Sequence, residues 1–391
     1  MERDYKNIAI IGGGASGCFC AFFLLKSGYN ITIFDKGAPL RTLLPTGGGR
    51  CNLAHAEYDF RELVKNYPRG EKFLYSVFSK FSTADTLETF EKMGVKCYTQ
   101  ENGRIFPESN SAKEVRKTVL SKIKGANFIQ EEVIEIKPVD GGFKVVTNNC
   151  SLTPTLSPRR GSNKYFFTHV ILALGGHSSY KLAENLGIKI IEPKPSLVGL
   201  NTKENFKDLS GTVVKGVNFN GIIDDLLFTH FGVSGPLIYT ISSIKAFDEM
   251  PYKLTIDLCP SLTDLQEELN KNPHKEIKNI LNKFLPQKVV SFVLKDLDET
   301  TKAHKINGKI RDLILNRIHN FELNIIGTNK GAETVTAGGI DLNEINPKTM
   351  EIKNIPNLYA IGEVLNIDGF CGGFNLQNAW STAYVCAENF K

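Results

Sequence analysis

The chain has 391 residues, 41% hydrophobic and 23% charged, with a formal net charge of +5 at pH 7. That length holds two or three domains at ~150 residues each, and the composition can bury a sizeable core. The positive charge is spread thinly with no run of five like charges, so a small-molecule substrate and no nucleic-acid partner are expected. No apolar run approaches the ~18 residues that span a bilayer, so no membrane partner is expected. The eight cysteines form no C-x-x-C pair, which fits reduced thiols in a cytoplasmic chain without a signal peptide. No cluster has metal-ligand spacing, and oligomeric state leaves no signature.

The first elements are the most informative. Ile8-Ala9-Ile10-Ile11 runs into Gly12-Gly13-Gly14-Ala15-Ser16-Gly17, then into an apolar helical segment from Cys18 to Lys26 that stops at Gly28. A second apolar run, Ile31-Thr32-Ile33-Phe34, ends on Asp35 and Lys36. This predicts a β-α-β unit with a G-x-G-x-x-G turn. Gly12 permits the tight turn, Gly14 lets a pyrophosphate approach the backbone, and Gly17 lets helix and strand pack closely. Free N–H groups at the helix start, around Ala15 and Ser16, face the phosphates. Asp35 can accept hydrogen bonds from a ribose diol and would repel a 2′-phosphate. The unit calls for an adenosine dinucleotide without separating FAD from NAD.

A glycine-rich loop, Thr46-Gly47-Gly48-Gly49-Arg50-Cys51-Asn52, comes next. Helices are predicted over 60–67 and 71–93, broken at Pro68, with Gly94 as C-cap. Asn102-Gly103 between 95–100 and 104–106 signals a hairpin, and another helix fits 111–124. Segments 127–137, 143–149 and 164–168 read as a three-strand meander that turns at Asp140-Gly141-Gly142. The Ser, Thr and Pro content of 151–161 suits an exposed loop tip. Val170 to Leu174 is an apolar strand, with Ala173 in it and Gly175-Gly176 at its end; such unbroken apolar character suits a parallel strand buried on both faces. Pro193 and Pro195 mark an exit from the first domain. Strands are predicted at 213–219, 226–229 and 253–258, helices over 263–320, and a further buried strand from Leu358 into Gly362-Glu363. The expected organisation is a discontinuous domain, 1–194 with 331–391, an inserted β-rich domain, 195–262, and a helical subdomain, 263–330.

The C-terminal segment separates FAD from NAD. In two-dinucleotide flavoprotein folds a late strand ends in a glycine and an acid that holds the ribitol of FAD, as Gly362-Glu363 would. The chain then enters a helix whose N-terminus faces the pyrimidine edge of the flavin, and Asp368 to Gln377 supplies that loop and helix start. The helix dipole there stabilises negative charge developing on the reduced ring. With these segments the sequence resembles the BaiN/YhiN-like family of NAD(P)/FAD-dependent oxidoreductases, also labelled aminoacetone-oxidase-like flavoproteins. The resemblance is carried by 47–52, Gly103-Arg104-Ile105-Phe106-Pro107 and Leu227 to Pro236. It continues through Val335 to Ile340, Thr349-Met350, and Gly362 to Gln377. It implies an α/β fold, a Rossmann-type FAD-binding domain interrupted by an inserted β-barrel-like plus helical region. It departs from the family at Asn366, Cys371 and Phe374, where an acid, Thr and Tyr are common.

The expected FAD contacts are Gly12, Gly14, Ala15, Ser16 and Gly17 in the first turn, Asp35 and Lys36 after it, and Gly48, Gly49, Arg50, Cys51 and Asn52 in the loop. Val133, Ala173, Gly175 and Gly176 follow, then Gly362, Glu363, Gly373, Phe374, Asn375 and Gln377. Catalytic residues are not fixed by the sequence; the candidates are His230, Arg50 and Cys371, with His55 read as a solvated loop histidine. Ser234 lacks G-x-S-x-G spacing, and Pro236 after it suggests a helix start. The resemblance implies two-electron hydride transfer between NAD(P)H and a small organic substrate through non-covalent FAD. No second dinucleotide motif is present, so NADH or NADPH would bind transiently. The alternatives are an amine oxidase using oxygen, a folate-dependent tRNA-modifying flavoprotein, and a flavin redox sensor.

Overall fold

The structure is a computed structural model that describes residues 6–148, 162–176, 180–329 and 331–390. The 151–161 tip lies outside the described residues. The chain forms two compact units, one of 1–194 with 335–391 and one of 195–334, each with its own apolar core.

In the first unit, β1 (Asn7–Ile11), α1 (Ala15–Lys26) and β2 (Asn30–Phe34) form the β-α-β unit. β3 (Asn127–Ile129), β4 (His169–Leu172) and β5 (Leu358–Ala360) complete a five-stranded sheet in the order β5-β4-β1-β2-β3. Every pairing in it is parallel. β1 and β4 are buried almost end to end, as their unbroken apolar runs require. The long helix α2 (Phe374–Glu388) packs against α1. Phe19 of α1 lies 4.9 Å from the Trp380 ring and stacks at 5.6 Å on Phe90 of the helix Thr83–Met93, so three helices share one aromatic core.

Two expectations are corrected in this unit. The 71–93 helix is two helices, Glu71–Phe78 and Thr83–Met93, because Ser82 and Asp85 form a capping box that starts the second. Segment 127–137 is likewise split. Asn127–Ile129 pairs in parallel with β2, and the strand Glu132–Val139 joins the meander with Gly142–Asn148 and Ser162–Phe167. The Ile129 carbonyl accepts the N–H of Asp35, which ties the split to the end of β2.

The second unit is an antiparallel six-stranded sheet with helices against it. In spatial order the strands are Val213–Phe219, Ile222–Thr229, Gly232–Ser234, Leu200–Thr202, Phe321–Thr328 and Tyr252–Ile256. The two outer strands meet where Asn218 and Asp257 exchange backbone hydrogen bonds, both at 2.9 Å, so the sheet closes on itself as a barrel. The expected helical subdomain is not separate: its last strand, Phe321–Thr328, lies inside the barrel sheet. Its helices, among them Gln287–Val293 and Gly308–His319, bury their apolar sides in the same core as the strands. No helix among the described residues is long and apolar enough to cross a membrane.

Candidate functional site

The carboxyl ends of β1, β4 and β5 and the N-terminus of α1 converge, and glycines decide how closely. A Cβ on Gly12, whose φ is +114°, would lie 2.1 Å from the Ala173 carbonyl oxygen at the end of β4. A Cβ on Gly17 would lie 2.0 Å from the Gly12 carbonyl oxygen and 3.2 Å from the Ile10 side chain. Gly14 is different: the nearest atom to its Cβ position is the Thr42 hydroxyl at 3.8 Å. Two of the three motif glycines are therefore closed by protein and the middle one opens onto free space, as a pyrophosphate lying on the backbone requires. Gly14 is also the N-cap of α1, with no side-chain cap and no acid in the first turn, so the helix start keeps its positive end for an anion.

Asp35 is half-buried at the end of β2. Its Oδ2 accepts the Gly13 N–H at 2.8 Å and its Oδ1 the Gly37 N–H at 2.7 Å, which fixes the carboxylate beside the glycine turn. Lys36 is exposed next to it. Val133 follows the Ile129 segment that borders Asp35. On the other side, Gly362 backs onto α1, its Cβ position 2.5 Å from the Ser16 hydroxyl. Glu363 Oε1 accepts the Thr336 N–H at 3.0 Å, and Gly176 lies so near that a Cβ there would be 2.5 Å from the same oxygen. Gly175 has φ +72° and nothing near its Cβ position.

Gly47, Gly48, Gly49 and Cys51 all have positive φ, so the 46–52 loop is a coiled turn in which three of four such positions are glycine. Arg50 lies over the Phe106 ring at 4.0 Å and donates from Nε to the Gly47 carbonyl at 3.2 Å. Asn52 has a buried Oδ1 without a hydrogen-bond partner among the described residues.

The loop before α2 is held by residues that sequence reasoning missed. Arg69 forms a two-pronged ion pair with the fully buried Asp368. Tyr67 donates its hydroxyl to the Phe374 carbonyl at 2.6 Å. Neither contact has a local sequence signal, since about 300 positions separate the partners. The Asn375 carboxamide bonds both the N–H and the carbonyl of Gly369, at 2.9 and 2.8 Å.

Several expected contacts are corrected by burial. Gln377 has no accessible surface; its amide donates to Thr86 at 2.8 Å and Ser381 at 2.9 Å, inside the helix packing. Phe374 is closed in by His55, stacked at 4.6 Å, and by Tyr67. Cys51 is fully buried, and burial pushes its thiol up to about 12, so it packs as a neutral group. Asn375 spends its side chain on the loop. The first three are closed off in the packing, while Asn375 stays partly accessible and Gly373, the N-cap of α2, keeps accessible backbone. His55 is no solvated residue: it is half-buried, its Nδ1 donates to the Gly372 carbonyl at 3.1 Å, and burial holds its imidazole below the usual range.

Of the catalytic candidates, Arg50 and Cys371 belong to the first unit. The Cys371 sulfur lies 3.7 Å from Arg104 Nη2. His230 belongs to the second unit, exposed in the turn between Ile222–Thr229 and Gly232–Ser234, with its ring edge-on to Phe231. Ser234 ends a strand, and Pro236 opens the helix Pro236–Ile244. No group of His, Cys, Asp and Glu among the described residues could hold a metal ion.

Comparison with known proteins adds to this geometry. A protein named ribosomal RNA dihydrouridine synthase from Haemophilus influenzae is 31% identical, covering 99% of this chain and 98% of its own. One of the same name from Escherichia coli K12 is 29% identical over 100% and 98%. A 3-dehydro-bile acid delta(4,6)-reductase from Clostridium scindens is 27% identical over 98% of each chain. An open form of a flavocytochrome c3 fumarate reductase has a TM-score of 0.53 at 12% identity, covering 98% of this chain and 78% of that one, a likeness of fold. The expected absence of a nucleic-acid partner is overturned, because relatives matched end to end are named for a reaction on ribosomal RNA. Charge read along the sequence cannot register cations that only the fold brings near one another, as it does Lys26 and Lys122 at the ends of two helices in contact. The HI0933-like protein Rossmann domain family matches residues 6–389, and the chain is a member of that family of FAD-dependent oxidoreductases.

Proposed function

We propose that this FAD-dependent oxidoreductase reduces the ring double bond of a uracil base in ribosomal RNA, drawing its electrons from NAD(P)H. The observation that carries the reading is the end-to-end similarity to two proteins named for that product. Uridine becomes dihydrouridine when a hydride adds at C6 and a proton at C5 of an alkene conjugated with the C4 carbonyl. The bile-acid relative is named for reduction of alkenes in a 3-keto compound, so one bond class covers both names. The nicotinamide gives up the hydride and the medium gives the proton, so electrons and atoms balance.

The residues present fit FAD. The open backbone at Gly14 and the uncapped start of α1 would hold the pyrophosphate, and Asp35 would take the adenosine ribose. Glu363, Gly175-Gly176 and the α2 N-cap at Gly373 would hold the ribityl and flavin part. FAD bound there would supply a two-electron relay. The chain's own contribution is position and electrostatics: helix N-termini favour anionic charge, and the ion pair of Arg69 with Asp368 fixes the loop that ends at Gly373. Arg50, held over Phe106, is the cation available for a phosphate or an anionic substrate.

The test is genetic. Ribosomal RNA digested to nucleosides loses dihydrouridine when the gene is removed and regains it when the parent gene is restored. Unchanged dihydrouridine overturns the reading. A second reading, a small conjugated ketone as substrate, is favoured by the bile-acid relative and would show as oxidation of the reduced flavin by such a ketone.

A further inference from the structure

Three helices of the first unit end on lysine: Lys26 closes α1, Lys92 lies in the last turn of Thr83–Met93, and Lys122 closes the helix Ala112–Lys122. Each lysine suits the carbonyl end of its own helix. The helices pack against one another, however: Phe19 of α1 stacks on Phe90 of Thr83–Met93 at 5.6 Å, and a Cβ on Gly125, just past Lys122, would lie 3.3 Å from the Leu25 side chain, so the three helix ends gather around Lys26. Partial burial and then the charges of Lys92 and Lys122 hold the Lys26 ammonium below its usual range. The Lys26 ammonium sits over the Phe22 ring at 4.0 Å, which fixes its position on the surface. All three lysines are exposed.

The surrounding surface adds to the field. Lys113, Lys117 and Lys124 are exposed on and just beyond the same helix, where Glu114 is the acid. Arg116 is turned inward and donates to the Pro39 carbonyl at 2.8 Å. Glu88 pairs with Lys92 at 2.5 Å, and Glu91 lies beside it, so the patch is partly balanced but remains cationic. Gathered like charges repel, and the phosphates of a polyanion relieve that repulsion as the lysines displace the counterions condensed on them. Lysine does this as a point charge and needs no fixed geometry.

We propose that this face of the first unit, centred on Lys26, Lys92 and Lys122, docks the phosphodiester backbone of folded RNA. The proposal rests on the RNA reading above and deepens it by naming where the partner is held. It commits to phosphate contacts and to no base recognition, so binding is tolerant of sequence and steep in salt.

The test compares two triple variants of the full-length holoprotein that lose the same net charge. One is Lys26→Gln with Lys92→Gln and Lys122→Gln. The other is Lys253→Gln with Lys271→Gln and Lys283→Gln, lysines of the second unit that pair with Glu322, Glu267 and Glu268. Affinity for a ribosomal RNA fragment is measured across a salt series, with flavin content and melting temperature as checks of folding. The first variant is expected to flatten the log–log salt slope by about 2, from three contacts at ~0.7–0.9 each. The second should keep the parent slope, and both should be reduced by NAD(P)H at the parent rate. An unchanged slope in the first variant, or equal flattening in both, overturns the docking face. Because binding is read without turnover, a parent that binds steeply in salt yet forms no dihydrouridine overturns the enzymatic reading alone. A parent that forms dihydrouridine with the first variant's slope unchanged overturns the docking face alone.

Discussion

Gly14→Ala separates a glycine kept for the fold from one kept for a ligand. The backbone of Gly14, φ −78° and ψ −164°, is open to any residue, and the methyl would meet nothing closer than 3.8 Å. Two opposed effects act on the free protein. Loss of unfolded-state freedom stabilises by ~0.4–1 kcal/mol, and alanine at an N-cap costs a similar amount relative to glycine. The net change in the flavin-free chain is therefore within ~1 kcal/mol of zero. With FAD bound, the same methyl occupies the space assigned to the pyrophosphate, an overpacking that costs ~1–3 kcal/mol, or ~5- to 150-fold in Kd. Gly17→Ala is the contrast: its Cβ would lie 2.0 Å from the Gly12 carbonyl oxygen, so that chain should fail to fold with or without flavin. Titration of FAD into flavin-free protein, with thermal unfolding of the same samples, reads both quantities. A Gly14→Ala protein that folds and binds FAD like the parent would show that the pyrophosphate does not lie on Gly14.

Asp35→Ala should weaken FAD by roughly 1–3 kcal/mol and also lower the stability of the free chain, since the Gly13 and Gly37 N–H groups lose their acceptor. An unchanged Kd in a folded variant removes Asp35 from ribose binding. Arg69→Ala leaves the buried Asp368 carboxylate without its guanidinium, which should cost ~3–5 kcal/mol in urea unfolding and loosen flavin with it. A loss below ~1 kcal/mol would mean that the ion pair does not hold the loop. His169, beside Tyr359 and Phe390, has its imidazole pushed down to about 4 by burial and then by Lys6. The folded chain resists the proton that the unfolded chain accepts near 6.5, so stability is full above that pH and falls as the pH drops toward 4. His169→Phe should flatten the curve in that window, and an equal slope in parent and variant refutes the assignment.

What was legible in the sequence was local. The glycine turn, Asp35, the Gly94 cap and the Pro236 helix start each follow from a few adjacent residues, and the structure keeps them in place. Segment 127–137 reads as one strand, yet its first three residues pair with β2, and the polar run Gln130-Glu131-Glu132 falls where the strand changes partner. The wall of the site was misread for a related reason. Gln377 and Phe374 stand at a helix start that faces the flavin in related folds, but one turn of helix carries side chains inward as well as outward, and these two point in. Cys51 sits in the loop expected to approach the flavin, yet its side chain is wholly buried. The clamps, Arg69 on Asp368 and Tyr67 on the Phe374 carbonyl, join residues far apart in the chain. The lysines that end three packed helices were invisible for the same reason.

In the proposed reaction, electrons from NAD(P)H reach a uracil base through this protein. Its most direct test is an anaerobic single turnover: reduce the bound flavin with one equivalent of NADPH or NADH, then add unmodified ribosomal RNA. The flavin colour should return on addition of RNA, and dihydrouridine should appear in equal amount in the digested RNA. Flavin that stays reduced until oxygen is admitted, with no dihydrouridine formed, would contradict it.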